Sequence, residues 1–275
     1  MFKIYDLNMK EIPLPKGVMP LEIFVGSVAK NRVTEAIDGR AGVVDYGFNY
    51  TDRPVSLFLR IKSADAADFR LLRNEVFATF DVGSAFYVAE SDVPSRVLKV
   101  VVDESYIPDR LTEEYADFDI NCRTLDSVFW ETKYTTLELH DSGYSATAEK
   151  YGLVDNIDDE KVKYRFAESN FTVYNAGNVT VEPESMMLNI IVNAVRSDSN
   201  FTIRNKTTGE EIILKRESVG SHFRIQGMVV SLGSITNIFR DTNRRFISLL
   251  PGDNQFEILN GTFEEIRFEF KFLYK

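Results

Sequence analysis

The chain has 275 residues, and its 32 basic and 42 acidic side chains give a formal charge of −10. A hydrophobic content of 44% with 12% aromatic residues is enough to build one large core or two smaller ones, which excludes disorder as the main state. The acidic balance argues against sequence-independent nucleic-acid binding, because such binding depends on basic side chains next to phosphates. One cysteine and two histidines exclude an internal disulfide and a Cys/His zinc cage.

The start of the chain and its apolar runs indicate a soluble protein. Residues 1–6 lack the basic and then apolar layout of a signal peptide, and no apolar run approaches the roughly 20 residues that cross a bilayer. We therefore expect a soluble protein that is made in a cytoplasm and has no membrane partner.

Two regions rich in strand signals are separated by a polar, weakly periodic stretch. We predict an N-terminal domain over residues 1–140, a linker or arm over 141–168, and a C-terminal domain over 169–275. The formal charge is −7 for residues 1–140 and −3 for the remainder. Both domains are therefore acidic, and the charge is concentrated in the first.

The N-terminal region reads as strands around one helix. A proline-rich segment, residues 13–20, precedes a strand at 21–25, and a turn at 38–42 leads to a short strand. The alternation over 55–62 predicts a half-buried strand. Residues 63–80 then show apolar side chains at helical spacing, with Ser63 or Asp65 as the cap. Further strands are predicted by short β-forming runs at 86–89, 96–102 and 118–122.

The C-terminal region has the stronger strand signals. Residues 201–204 and 211–214 flank a loop that contains Gly209, which predicts a hairpin. Residues 255–259 and 266–272 are joined by Asn260-Gly261, for which we predict a type I′ turn, and the second run alternates apolar and charged residues. The fold class is thus mainly β with one principal helix, and the many short strands favour a β-sandwich.

No common catalytic or cofactor fingerprint is present, so we predict no catalytic, cofactor-binding or metal-binding residues. His140-Asp141-Ser142 has the residue types of a serine triad, but adjacent residues in a polar stretch do not provide the converging geometry. Cys122 lies in an alternating strand pattern and is interpreted as a small buried side chain. His222 lies on a predicted strand, where exposure or a simple hydrogen bond is favoured over ligand binding.

Three further features leave alternatives open. The acidic cluster of Asp155, Asp158, Asp159 and Glu160 is a weak cation site or, as we favour, a solvated linker. Trp130 indicates core or interface packing, and no second tryptophan offers a sugar platform. The abundance of carboxylates also leaves open a pair that hydrolyses a glycosidic bond.

The order of the turn motifs resembles the distal tail proteins of long-tailed phages that infect Gram-positive bacteria. The resemblance begins with the glycine-rich turn Asp38-Gly39-Arg40-Ala41-Gly42 and the segment 50–57, and continues through a strand, the helix and further strands to Arg123. It resumes at residues 173–183 and 250–254 and ends with the terminal alternating strand. Each motif alone indicates only a turn. Taken together, in this order and at this spacing, the motifs extend over nearly the whole chain.

This resemblance implies a structural protein and no enzyme. Family members form a hexameric ring through an N-terminal domain with a β-sandwich or split-barrel-like fold, and they carry a peripheral galectin-like β-sandwich. The implied partners are five further copies, the major tail tube protein, the tail-associated tip protein, a receptor-binding protein, and DNA that passes without specific binding. The implied location is the virion tail tip, with assembly in the host cytoplasm. The ring would then be part of the DNA ejection channel, and its acidic charge would keep DNA from adhering.

Two other functions are compatible with the sequence. A carbohydrate-binding module would contact the host cell wall, although the galectin sugar-site pattern is matched only by His222 and Arg224. A hydrolase would use an unrecognised carboxylate pair. For the ring, we expect exchange arms in the proline-rich segment and in residues 140–168, and a turn of positive φ at Gly39 and Gly42 whose loss impairs folding or assembly.

Overall fold

The computed structural model describes residues 1–81, 83–102, 104–153 and 157–275. Its internal contacts divide the chain into two compact units, Met1–Trp130 with Lys275 and Glu131–Tyr274. Within the described residues no helix is both long enough and apolar enough to span a bilayer. The ring-forming and peripheral roles assigned to the two parts of the sequence stay predictions.

The first unit is a curled antiparallel sheet covered by one helix. Its elements are β1 (Phe2–Tyr5), β2 (Val18–Val25), β3 (Ala29–Ala36), β4 (Val43–Thr51), β5 (Pro54–Lys62), α1 (Ala66–Phe80), β6 (Phe86–Glu90), β7 (Arg96–Val102), β8 (Asp109–Arg110) and β9 (Tyr115–Thr124). The main strand order is β1-β6-β7-β9-β5-β2, and β8 pairs with β9. Strands β1 and β2 lie at opposite ends of this order but close to each other, so the sheet curls around its core.

The core of the first unit confirms the predicted strand and helix. Alternate residues of β5, from Val55 to Ile61, are at most 1% exposed, as the period of two requires. Helix α1 packs on this face through Phe69, Leu72, Val76 and Phe80. Asp65 caps it by accepting hydrogen bonds of 2.8 Å from the backbone N–H groups of two residues in the first turn.

The second unit is a β-sandwich with two short helices. Strand β10 (Trp130–Thr132) lies at the boundary between the two units in the sequence. The elements after it are α2 (Thr136–Ser142), α3 (Tyr144–Tyr151), β11 (Arg165–Phe166), β12 (Asn170–Asn175), β13 (Leu188–Ser197), β14 (Phe201–Asn205), β15 (Glu210–Leu214), β16 (Ser218–Gln226), β17 (Val229–Leu232), β18 (Gly252–Leu259), β19 (Glu265–Phe270) and β20 (Leu273–Tyr274). One sheet has the order β11-β19-β13-β16-β17 and the other β12-β18-β14-β15.

Aromatic rings fill the space between these two sheets. The Phe256 ring of β18 lies 4.9 Å from the Phe268 ring of β19, which belongs to the opposite sheet. The Phe171 ring of β12 lies 5.8 Å from the same Phe268 ring. Two predictions are confirmed. The protein is mainly β, since strands far outnumber helices among the described residues of both units. Strands β14 and β15 pair as the predicted hairpin, with Gly209 at φ +75°.

The stretch for which we predicted a linker, residues 141–168, contains regular structure. It includes the end of α2, all of α3, a 3₁₀ turn at Asp159–Lys161 and strand β11. Helix α2 forms despite its polar sequence because Thr135 and Glu138 make a reciprocal capping box. Its buried Leu139 and Thr136 anchor it, and the Thr136 hydroxyl donates to the Phe268 carbonyl at 2.8 Å.

The predicted Asn260-Gly261 hairpin is wrong. Strand β18 pairs with β12 and β14, whereas β19 pairs with β11 and β13, so the connection crosses from one sheet to the other. Asn260 has φ +60°, but a type I′ turn needs a second positive φ, which Gly261 does not have. Gly261 is required by close approach instead, because a Cβ there would lie 2.7 Å from the Arg196 carbonyl oxygen. The predicted alternation is nevertheless confirmed, since Ile266, Phe268 and Phe270 are fully buried.

Replacing Phe268 by alanine tests the interlocked ring packing of the sandwich. The side chain is fully buried between the sheets, so we expect a loss of about 3–5 kcal/mol in the free energy of unfolding of this unit. Val229→Ala on strand β17 of the same sheet is the control, because Val229 is exposed and should cost under about 0.5 kcal/mol. Urea unfolding followed by near-UV circular dichroism gives both values, and equal effects would contradict the packing argument.

Candidate assembly interface

Strands β3 and β4 form a two-stranded sheet of their own in the first unit. Every residue of β3 is exposed, and β4 has only Val44 and Gly47 partly covered. Within the described residues neither strand pairs with another element, so both outer edges offer free backbone groups. A two-stranded ribbon is marginally stable alone, and open edges are templates for another chain.

The turn at the tip of this hairpin confirms the predicted glycine conformations. Gly39 has φ +82° and Gly42 has φ +86°, in the left-handed region that glycine adopts without strain. Among the described residues, apart from the adjacent ones in the chain, none has an atom within 4 Å of a Cβ built at either position. Glycine is therefore required here for its backbone conformation and not for lack of space. Further along β4, Gly47 at φ +107° marks a bulge opposite Val33, where the register between the strands shifts.

One face of the hairpin combines cations with aromatic rings. The Lys30 ammonium lies 4.3 Å from the centre of the Phe48 ring, and the Phe48 and Tyr50 rings meet edge to face at 5.4 Å. Arg32 donates to Asp45 at 2.5 Å, which ties β3 to β4 beside the bulge. These side-chain contacts hold the ribbon in a single register without burying it.

The hairpin exposes more apolar surface than a solvated ribbon needs. Val43 and Tyr46 are each 60% exposed. The large apolar side chains that reach solvent here are Val33, Ile37, Val43, Tyr46, Phe48 and Tyr50. Such side chains grouped on a segment with open edges indicate a surface that another protein covers.

The root of the hairpin is tightly packed against the sheet. The Gly26 N–H donates to the Pro54 carbonyl at 2.9 Å, and a Cβ on Gly26 would lie 2.8 Å from Pro54 Cγ. Beside the root, the Tyr50 ring meets the Phe129 ring at 5.0 Å. The ribbon therefore leaves the body at a position set by several contacts.

The residues considered as a serine triad do not converge. They lie at the end of α2, where His140 Nδ1 accepts a hydrogen bond of 3.4 Å from the Tyr164 N–H. Asp141 forms a two-point ion pair with Arg165, with distances of 2.9 and 2.7 Å, and this guanidinium lowers the pKa of the Asp141 carboxyl. The imidazole and the carboxylate thus have structural partners of their own.

The other candidate residues are dispersed. Cys122 is buried in β9, and Trp130 packs against the core of the first unit. His222 is exposed on β16. Within the acidic cluster, Asp158 caps the 3₁₀ turn, while Asp155 lies outside the described residues. In the described part of the chain, no three metal-ligating side chains come together.

The motifs at residues 173–183 and 250–254 are explained by a buried network of asparagines. Asn254 is fully buried, accepts from the Leu250 N–H at 2.9 Å and donates to the Leu250 carbonyl at 2.8 Å. The Asn175 side chain donates to the Val179 and Leu249 carbonyls at 3.1 and 3.3 Å. Gly177 is required because a Cβ would lie 2.5 Å from the Leu273 carbonyl oxygen. These motifs position loops at one end of the sandwich.

Comparisons with known proteins found similarities to phage tail proteins. Residues 6–122 match the family model of the phage tail protein RIFT-related domain. The chain has the fold of the SPP1 Dit protein, described as a paradigm of the hub adsorption apparatus in phages that infect Gram-positive bacteria, with a TM-score of 0.69, 12% identity, and 99% of this chain and 100% of that chain covered. A component of the phage p2 baseplate in its activated conformation with Sr aligns with a TM-score of 0.44 and 10% identity over 98% of this chain and 97% of that one. No curated protein sequence matches the chain.

Replacing both Gly39 and Gly42 by valine tests the tip of the hairpin. A β-branched residue at positive φ costs about 1–3 kcal/mol per position, and here the strain is confined to the exposed ribbon. We expect faster hydrogen exchange at the amides of β3 and β4 and an unchanged melting temperature of the body. Arg40→Val, within the same turn but not at a glycine, is the control. Unchanged exchange in the double variant would show that the turn does not demand glycine.

Proposed function

We propose that this chain is a distal tail protein (Dit) of a long-tailed phage and that it forms a ring in the tail tip that joins the tube to the tip proteins. Two observations support this proposal: residues 6–122 match the tail-protein domain, and the whole chain has the fold of a Dit protein. From the same two observations we infer a structural function, namely that of a component of the phage tail and its virion. The ring, its six copies and its neighbours are the proposal.

The observation that carries the proposal is the exposed hairpin of β3 and β4. It has open edges, six large apolar side chains in solvent, and a root that fixes its exit from the body. A contact in which the hairpin of one copy meets a different surface of the next is heterologous, and such contacts close into rings when the rotation between copies divides a full turn. Six copies close at 60° each.

A ring between the tail tube and the tip proteins would have a partner on each of its two faces. One face binds the major tail tube protein, and the other binds the tail-associated protein and a receptor-binding protein. DNA passes through the opening without specific contacts, since the charge of −7 over residues 1–140 repels a polyanion. The function needs no enzyme activity or cofactor, and assembly takes place in the host cytoplasm.

The mass of the purified protein tests the ring. Six chains of 31.4 kDa give about 188 kDa by light scattering, and we expect this species for the wild type. The double variant Val43→Asp, Tyr46→Asp places two charges on the exposed hairpin and should shift the protein toward the monomer, because charges in a covered apolar interface are left without partners.

Ile107→Asp is the matched control, since Ile107 is 82% exposed in the same unit but lies outside the hairpin. It should retain the wild-type mass. A wild type that is monomeric at high concentration, alone and with the tube protein present, would contradict the proposal. A hairpin variant that assembles as well as the control would show that the ring uses another surface.

A further inference from the structure

Arg53 lies at the root of the hairpin and is only 5% exposed. Its Nε donates to the Gly26 carbonyl at 2.8 Å, just before β3, and its Nη1 donates to the Val128 carbonyl at 3.0 Å. Its own backbone exchanges hydrogen bonds with Thr124, to the hydroxyl at 3.0 Å and from the N–H at 3.2 Å. One guanidinium thus joins the entry of the hairpin, its exit and the segment that follows β9.

This guanidinium has no carboxylate partner in the part of the chain that the structure describes. Burial accordingly lowers the pKa of Arg53, with no opposing contribution from a nearby acid. A buried cation without an ion pair is a poor source of stability compared with an apolar side chain of similar volume. What arginine supplies here is geometry, because its planar fork directs donors toward two carbonyls at once, which a lysine ammonium cannot do in the same fixed way.

Because the hairpin is long, a small change of angle at its root displaces its tip by a large distance. Eight residues at about 3.3 Å each give a lever of roughly 26 Å, so a rotation of about 10° at the root moves the tip by about 4–5 Å. A packed interface between proteins does not tolerate displacements of that size. Beyond the root, no described strand pairs with the ribbon to correct its direction.

We propose that Arg53 is a positioning residue for subunit assembly, which holds the hairpin in the direction required by the neighbouring copy through hydrogen bonds to Gly26 and Val128. The inference rests on the proposed ring and names the residue that prepares its contact surface. It assigns assembly to the geometry of the guanidinium and not to its charge.

The test compares Arg53→Gln and Arg53→Lys with the wild type in the full-length protein. Arg60→Gln is the control, because Arg60 lies on β5, pairs with Asp117 at 2.6 Å and does not touch the hairpin. Three quantities are measured: the melting temperature, hydrogen exchange at the amides of β3 and β4, and the protein concentration at which half of the chains are assembled.

Both Arg53 variants should keep a cooperative melting transition. Their hairpin amides should exchange about ten-fold faster or more, and the concentration for half-assembly should rise by about the same factor, as expected for lost hydrogen bonds to a charged group. Arg60→Gln should change neither quantity.

Three outcomes would overturn the inference. Assembly restored by Arg53→Lys would show that charge suffices. Unchanged exchange in Arg53→Gln would show that the root does not depend on the guanidinium. Loss of the melting transition in both variants would assign Arg53 to general stability. A wild type that stays monomeric would instead contradict the ring itself, and the exchange measurement would still decide whether Arg53 holds the hairpin.

Discussion

A two-stranded β-ribbon cannot satisfy the hydrogen-bonding groups on its own edges, and this constraint governs the first unit. Among the described strands, β3 and β4 pair only with each other, and their side chains are mostly exposed and form no core. The ribbon persists as a defined hairpin because its tip uses two glycines of positive φ and its root is fixed by Gly26, Arg53 and Pro54. A segment that is so well defined yet uncovered is best explained by a partner that completes it.

In the second unit, two edge strands are covered by other segments of the same chain. The edge strand β17 is covered by the chain that follows it, since the Ile238 N–H donates to the Val230 carbonyl at 2.9 Å. Strand β15 is covered by Asn243, whose N–H donates to the Ile213 carbonyl at 3.1 Å and whose side chain accepts in return. Strands β15 and β17 are thus covered within the chain, whereas β3 and β4 are not paired with any other described strand.

Sequence patterns predicted those elements of the fold that depend on interactions between residues close together in the chain. The alternation in β5, the spacing in α1 and the cap at Asp65 each depend on residues close in sequence, and all are confirmed. The Asn260-Gly261 hairpin failed because the choice between pairing and crossing to the other sheet is made by distant residues, including Arg196 and Phe201, which pack on Gly261.

The candidate interface was only partly visible in the sequence. The sequence predicted the glycine turn at its tip but not strand β3. Both faces of β3 carry polar and apolar residues, so its sequence shows no alternation of buried and exposed positions. Arg53 lies in the segment 50–57 that carries the resemblance, but the sequence assigned it no role, since that role depends on carbonyls 27 and 75 residues away in the chain. Helix α2 could have been found from the Thr135 and Glu138 capping-box spacing, which the polar composition of the stretch concealed.

A structure of the assembled protein by electron cryomicroscopy would show directly whether the hairpin joins neighbouring copies. We expect a closed ring in which residues 29–51 of each copy are buried against the next copy, with the side chains of Val43 and Tyr46 covered. A ring in which this hairpin extends into solvent, with the subunits joined through other surfaces, would contradict it.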